Sequence, residues 1–386
     1  MQPEFLAGRP LVIVCGTAHW TALRLAEHHL ARRLAERVEV LFVDPPVSPA
    51  TQWRRPEVAA ATTGPALTKV AAGIHRLVPS VIPGKDRPGI ISVADVQVRR
   101  GIRKAIQLLG ADVVATILAL PGRRLFDPRI PGCRIYWAKD DHLAGAQLYR
   151  LRGAARVQRV EQQLARAADQ FLVCSPSLAE HWRGKGMHPV VFPNGCDVAH
   201  FADIEHTLAP EDARFSGPVA GFVGTVTRRL DLRLLAAVAD RGMHVLVVGG
   251  RRRADDWPEL DAFIRRPQVH MVGRRSYDQL PGYLAAMDVA LVPYREDQYN
   301  LNSFPLKLLE YLAAGLPVVS TRLPAAQWLA TPHVQIASSP KEFAETALAS
   351  TQITGSRAIA DRRRVAAGHD WDARASQLMS LVGLGV

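Results

Sequence analysis

The chain has 386 residues, 48% hydrophobic and 22% charged, which predicts two or three domains with sizeable buried cores. No apolar run approaches the roughly 18 residues of a membrane span, which excludes an integral membrane protein. The net charge of +12 is uneven: residues 1–197 hold 27 Lys and Arg against 16 Asp and Glu, whereas residues 198–386 hold 21 against 20. An anionic partner is therefore expected to meet the first half.

The N-terminus, Met1 to Pro10, lacks a basic region followed by an apolar one, so no secretory signal is expected. Cys15, Cys133, Cys174 and Cys196 lie far apart and form neither a CxxC pair nor a metal-ligand spacing. A reduced, cytoplasmic protein without structural zinc is the expectation.

Short apolar, β-rich runs mark strands in the first half at 11–15, 38–43, 74–78, 112–118, 134–137, 171–174 and 190–192. Helix-period stretches lie between them at 21–36, 93–109 and 154–168. The second half restarts the rhythm with strands at 219–223, 244–248, 269–272, 289–292, 317–320 and 334–336. Buried strands alternating with amphipathic helices predict α/β architecture, a parallel sheet covered on both faces in each half. The stretch 193–218 is rich in Pro, Gly, Asp and His without clear periodicity and reads as a linker. The expected organisation is therefore one domain over 1–197, a second over 198–370, and a helix over 371–386 returning toward the first. Two such doubly wound domains are expected to face each other across a cleft, with ligands at the carboxyl ends of the strands.

Several strand ends carry candidate chemistry. In the first half, Gly16, Thr17 and His19 follow the first strand, and Asp140, Asp141 and His142 follow the strand at 134–137. Adjacent carboxylates beside a histidine suit proton management or hydroxyl binding, and equally suit a solvated turn. In the second half, Gly224 and Thr225 end a strand and precede Arg228 and Arg229, a pattern for phosphate approach or simply a turn. The Gly249–Gly250 pair repeats the strand-then-glycine design, followed by arginines at 251–253 that read as a solvated loop. Val272, Gly273 and Arg274 precede a helix capped by Ser276 and suit a nucleobase edge, or are simply a loop in the sheet.

The richest stretch runs from Asn302 to Ser320, where Ser303 is expected to cap a helix with Pro305 in its first turn and Gly315 at its end. Ser303, Lys307, Glu310 and Ala314 then fall within roughly 60° of one another, opposite Leu308, Leu309 and Leu312. Helix-start amides and Lys307 suit a diphosphate, and Glu310 suits a ribose diol. A solvated face with an i,i+3 ion pair is the alternative.

The stretch PLKLLEYLAAGLPVVST, with PNGCD at 193–197, GFVGT at 221–225 and GRRSYDQLPGYLAAMDVALVPY at 273–294, resembles glycosyltransferase family 4. Within that family the chain is most similar to the teichuronic-acid-biosynthesis type. The resemblance implies a GT-B fold, a nucleoside diphosphate sugar donor on the second domain, and anomeric retention with neither metal nor cofactor. It implies Glu310 on the ribose, Gly224 near the diphosphate and Gly273 beside the base. Asn302 replaces a second glutamate common in the family, and Thr225 and Leu230 stand where a basic pair is usual. Arg228, Arg229 and Lys307 are left to supply positive charge.

Hydroxyl acceptors are expected on the first domain, positioned by Gly16, Thr17 and Asn194 and oriented by His19, Asp140, Asp141 and His142. The acceptor class stays open among polysaccharide, lipid-linked glycan and small natural product. Rows of cations, Arg99, Arg100, Arg103 and Lys104, then Arg152, Arg156 and Arg159, suit peripheral contact with an anionic inner-membrane face or a solvated surface. Nucleic acid is not an expected partner. Two other readings use the same fold: a nucleotide-sugar epimerase, and a non-catalytic protein that binds the nucleotide sugar.

Overall fold

The computed structural model describes residues 5–22, 24–149, 153–252 and 257–384. Two compact units emerge. The first runs to Cys174 and adds Leu178–Pro193 and the stretch from Arg374; the second comprises Ser175–Ser177 and Asn194–Ala373.

The first unit is built on strands β1 (Pro10–Cys15), β2 (Glu39–Val43), β3 (Leu67–Ala71), β4 (Ile74–Leu77), β5 (Asp112–Leu118), β6 (Cys133–Ala138), β7 (Gln170–Val173) and β8 (Val190–Val191). They join in the order β3, β4, β2, β1, β5, β6, β7, β8. Every pairing is parallel except β3 with β4. Val12, Ile13, Val14, Leu41 and Phe42 are all buried, as expected of central strands covered on both faces.

Strands β9 (Val219–Val223), β10 (His244–Val248), β11 (Val269–Gly273), β12 (Val289–Val292), β13 (Val318–Ser320) and β14 (Val334–Ile336) form the sheet of the second unit. Their order is β11, β10, β9, β12, β13, β14, parallel throughout. The order reverses between β9 and β12, so the loops leaving those strands diverge and leave a crevice at their carboxyl ends. The corresponding reversal in the first sheet lies between β1 and β5.

The structure departs from the sequence expectations in three places. β3 was not anticipated: its residues, Leu-Thr-Lys-Val-Ala, are mostly half-buried on a sheet edge and carry a weak apolar signal. The helix expected from Thr21 begins at Ala26, because a turn in which Ala22 N donates to His19 O precedes it. The expected linker is ordered by a helix at Val198–Phe201 and two short 3-10 turns. Its Cys196 pairs with Asp370 in an isolated parallel bridge.

Candidate functional site

In the second unit, three strand-end turns lock together. Gly224 N donates to Val248 O at 2.9 Å, and Val226 N to Gly250 O at 3.0 Å, so the turn after β9 rests on the turn after β10. The approach is so close that a Cβ on Gly249 would lie 1.9 Å from Gly224 O. Gly249 is thus a supporting residue that the sequence reading left unassigned, although its repeated strand-then-glycine pattern was visible. Gly273, at φ 77°, bridges to Gly249 from the neighbouring strand end. Val272 is half-buried on β11, while Thr225 and Arg274 are exposed. Of the arginines beyond Gly250, Arg251 pairs with Asp261 and residue 253 lies outside the described residues.

The helix of the Asn302–Ser320 stretch spans Leu306–Ala313, with Pro305 at its N-cap and no side-chain cap. Ser303 is therefore not the cap. It closes a separate short helix, Gln298–Asn302, and its Oγ donates to Asn300 O at 3.0 Å while accepting from Arg229 Nη2 at 3.1 Å. Pro305 forces this break, since a proline disfavours helical backbone in the residue before it. A helix start without a side-chain cap presents its first amides to a ligand or to solvent.

Lys307 Nζ donates to Glu310 Oε2, and Glu310 is buried at 4% exposure. The helix is tied to the sheet by Tyr311, whose hydroxyl accepts from Val223 N at 2.8 Å. Burial, above all, holds the Tyr311 phenol well above its ordinary value, so this oxygen stays protonated. Tyr311 was missed because a tyrosine inside an apolar helix pattern reads as core. Arg229 lies over the rings of Tyr294 and Tyr299, at 4.5 and 4.7 Å, and its Nε donates to Asn300 Oδ1 at 2.7 Å. Arg228 lies over Trp257, with 5.6 Å between guanidinium carbon and ring centroid. Asn302 is buried. Asn194 belongs to this unit and not to the one holding Gly16 and Thr17; its Nδ2 donates to Phe304 O at 2.9 Å, bracing the segment just before the helix.

In the first unit, Gly16 N continues the β1–β2 ladder by donating to Val43 O at 3.0 Å. Thr17 N and Oγ1 both donate to Glu27 Oε1, at 2.8 and 2.5 Å. Lys139 Nζ donates to Glu27 Oε2 and, at 3.1 Å, to Thr17 Oγ1. Burial pushes the Glu27 carboxyl up, but Lys139, His28 and Thr17 outweigh it and bring it down to about 2. This trio, with Glu27 and Lys139 buried and Thr17 half-buried, joins the loop after β1 to the loop after β6. Neither Glu27 nor Lys139 was singled out from the sequence; the signal was a lysine directly after a buried strand.

His19 Nδ1 lies 3.1 Å from Asp44 Oδ2. Asp44 also accepts from Trp20 N and from both Nε and Nη2 of Arg76. His19 is thus oriented from β2 and β4. Asp141 caps the helix His142–Leu148, its Oδ1 accepting from Ala144 N at 2.9 Å, so its carboxylate has a structural task. His142 is placed with Glu161 and His181 around a cavity of about 10 Å³, and its Nε2 is buried without a partner among the described residues. Burial raises the Glu161 carboxyl above its ordinary value. Asp140 is half-buried at the same cavity.

Of the expected cation rows, Arg103 pairs with Asp127 and Arg99 Nη1 donates to Arg124 O. Arg100 and Lys104 remain exposed on the helix Ile90–Leu109. Burial lowers the Arg156 guanidinium and Arg159 is exposed; Arg152 lies outside the described residues.

The family model described as "Glycosyltransferase Family 4" matches residues 28–200, and that described as "Glycosyl transferases group 1" matches residues 217–352. The putative teichuronic acid biosynthesis glycosyltransferase TuaH of Bacillus subtilis (strain 168) is 30% identical over 174 residues, 44% of this chain and 44% of that protein. The match thus spans under half the length of that relative. Among solved structures, sucrose-phosphate synthase from Thermosynechococcus elongatus superposes with a TM-score of 0.72 at 18% identity, over 97% of this chain and 98% of the other. HepE of Anabaena, solved in complex with UDP and glucose, gives 0.68 at 15% identity over 96% and 99%. The structure described as trehalose-6-phosphate from E. coli bound with UDP-2-fluoro glucose gives 0.68 at 13% identity over 98% and 99%. These likenesses establish the GT-B fold, and with a family match on each half, the chain belongs to glycosyltransferase family 4.

Proposed function

We propose that the protein is a retaining glycosyltransferase that moves a sugar from a nucleoside diphosphate sugar to an acceptor hydroxyl. The carrying observation is the buried Glu310 with Lys307 one turn away, on a helix that starts without a side-chain cap and is tied to the end of β9 through Tyr311. A buried carboxylate accepts the two hydroxyls of a ribose; a cation and helix-start amides hold a diphosphate. The UDP and UDP-sugar bound in the solved structures named above support a donor of this class.

Charge grows on the departing diphosphate as the bond from the anomeric carbon to its oxygen breaks. Lys307, the first amides of the helix Leu306–Ala313 and the turn at Gly224 supply fixed positive potential for it. The acceptor oxygen bonds to the anomeric carbon on the face the diphosphate vacates, and its proton passes to a diphosphate oxygen, so no protein base is required. Arg229, held between two tyrosines and bonded to Ser303, keeps the approach to that helix in one geometry.

On the acceptor side, Asp44 accepts from Nδ1 of His19 and leaves Nε2 to receive or orient a hydroxyl. Asp140 is the second candidate. A cytoplasmic enzyme with peripheral contact to an anionic membrane fits Arg100 and Lys104, which share the helix Ile90–Leu109 with exposed Val93, Val96 and Leu108. No helix among the described residues is long and apolar enough to cross a membrane.

The test is a panel of nucleoside diphosphate sugars with candidate acceptors, the product linkage read by NMR. Transfer with retained anomeric configuration is expected. Inversion, or a donor epimerised without transfer, overturns the reading.

A further inference from the structure

The loops that leave β2 and β4 flank an open pocket of about 310 Å³ in the first unit, lined by Ser48, Thr51, Arg54, Arg55, Lys85 and Arg87 among others. Its walls are fixed by backbone. Val47 N donates to Pro79 O at 2.9 Å and Val81 N to Val47 O at 2.8 Å, so the pairing of β2 with β4 continues beyond the strand ends. Ser48 Oγ accepts from Thr51 N at 3.2 Å and lies 2.9 Å from Thr51 Oγ1, which pins the wall that carries Arg54 and Arg55.

The charge in this pocket does not balance. Four cations meet one lining carboxylate, Asp86, and Asp86 is already paired with Lys85 at 2.8 Å and with Arg123. Burial raises the Asp86 carboxyl, but those two cations outweigh it and hold it below its ordinary value. Arg54, Arg55 and Arg87 have no carboxylate partner among the described residues. Arg54, Arg55 and Arg87 line one concavity and are exposed to its opening, and their planar forks match phosphoryl oxygens.

We propose that this pocket binds a phosphoryl group, carried by the acceptor. The loops bearing it leave the same end of the sheet as the loop bearing His19, which Asp44 of the β2 loop and Arg76 of β4 orient. The identification with the acceptor rests on the transferase reading; the binding of phosphoryl oxygens does not. Two sources present this chemistry, a soluble phosphate ester and a phosphorylated lipid headgroup.

The experiment measures binding to the full chain without nucleotide sugar. Calorimetry uses two phosphate monoesters, glycerol 3-phosphate and phenyl phosphate; sedimentation uses phosphatidylcholine vesicles with and without phosphatidic acid. Binding that falls with added salt is expected, about tenfold or more weaker in Arg54→Gln/Arg87→Gln and unchanged in Lys307→Gln, which alters only the donor helix. The pair Arg54→Lys/Arg87→Lys keeps the charge and removes the fork; weaker binding with an unchanged melting temperature separates recognition from folding. Loss of the soluble probes in the Gln variant identifies a phosphate ester, and loss of phosphatidic acid vesicles identifies a headgroup. Gln and Lys variants that bind like the wild type, or a wild type that binds neither class of probe, overturn the proposal. A failed pocket leaves the transferase reading standing, and a failed donor panel leaves the pocket standing.

Discussion

Replacing Glu27 by glutamine should destabilise the first unit by about 3 kcal/mol at neutral pH. The carboxyl falls from its ordinary 4.5 to about 2, and at roughly 1.4 kcal/mol for each tenfold change in proton affinity this amounts to about 3 kcal/mol. The side chain is fully buried, so solvent screening removes little of that figure. Because the folded value lies below the unfolded one, the contribution is complete above about pH 4.5 and is lost as pH falls toward 2. The substitution would leave the Lys139 ammonium buried beside a neutral amide. Urea unfolding followed by tryptophan fluorescence, at pH 7 and through the acid range, measures both effects. The difference between wild type and variant should shrink below pH 4.5, and Lys139→Met in the Glu27→Gln background should restore stability by removing the stranded charge. A variant as stable as the wild type at pH 7, or a difference that does not change with acid, would refute the reasoning.

Three further outcomes are expected. Glu310→Ala should weaken nucleoside diphosphate binding by about 1.5–3 kcal/mol in calorimetry while the protein stays folded; unchanged affinity removes Glu310 from the donor site. Gly249→Ala places a methyl where Gly224 O stands, so it should lower the melting temperature, with a cost of about 1–3 kcal/mol, and weaken nucleotide binding together. Normal values for both would show that the turns separate freely. Arg100→Glu/Lys104→Glu should abolish salt-sensitive sedimentation with phosphatidylglycerol vesicles, since each near-surface cation contributes about 1 kcal/mol on an anionic bilayer. A wild type that does not sediment even at low salt rejects the membrane contact.

The strands that pack on both faces were legible as apolar runs. Val219–Val223, His244–Val248 and Val289–Val292 have the bounds their residues suggest, because burial of every side chain but that of His244 leaves a nearly uninterrupted signal. β3 was not legible, since an antiparallel edge strand needs few apolar residues. At the site, Glu310 and Lys307 were legible as a helical pair, but the helix start was misplaced because Ser303 has cap chemistry and Arg229 claims it. Asp141 resembles half of an acidic dyad in one dimension and turns out to be a cap. Groups whose partners are distant in sequence stayed hidden: Lys139 meets Glu27 across 112 positions, and Tyr311 meets Val223 across 88.

The interlocking of Gly224 with Gly249 bears on how this protein can be re-engineered. Here the segment 224–229 has no independent shape, since its backbone is moulded against 249–252. A graft of the first stretch alone would import a curve for which the host has no matching surface. The transferable unit is the pair of turns together, with β9 and β10 as the register that keeps them aligned.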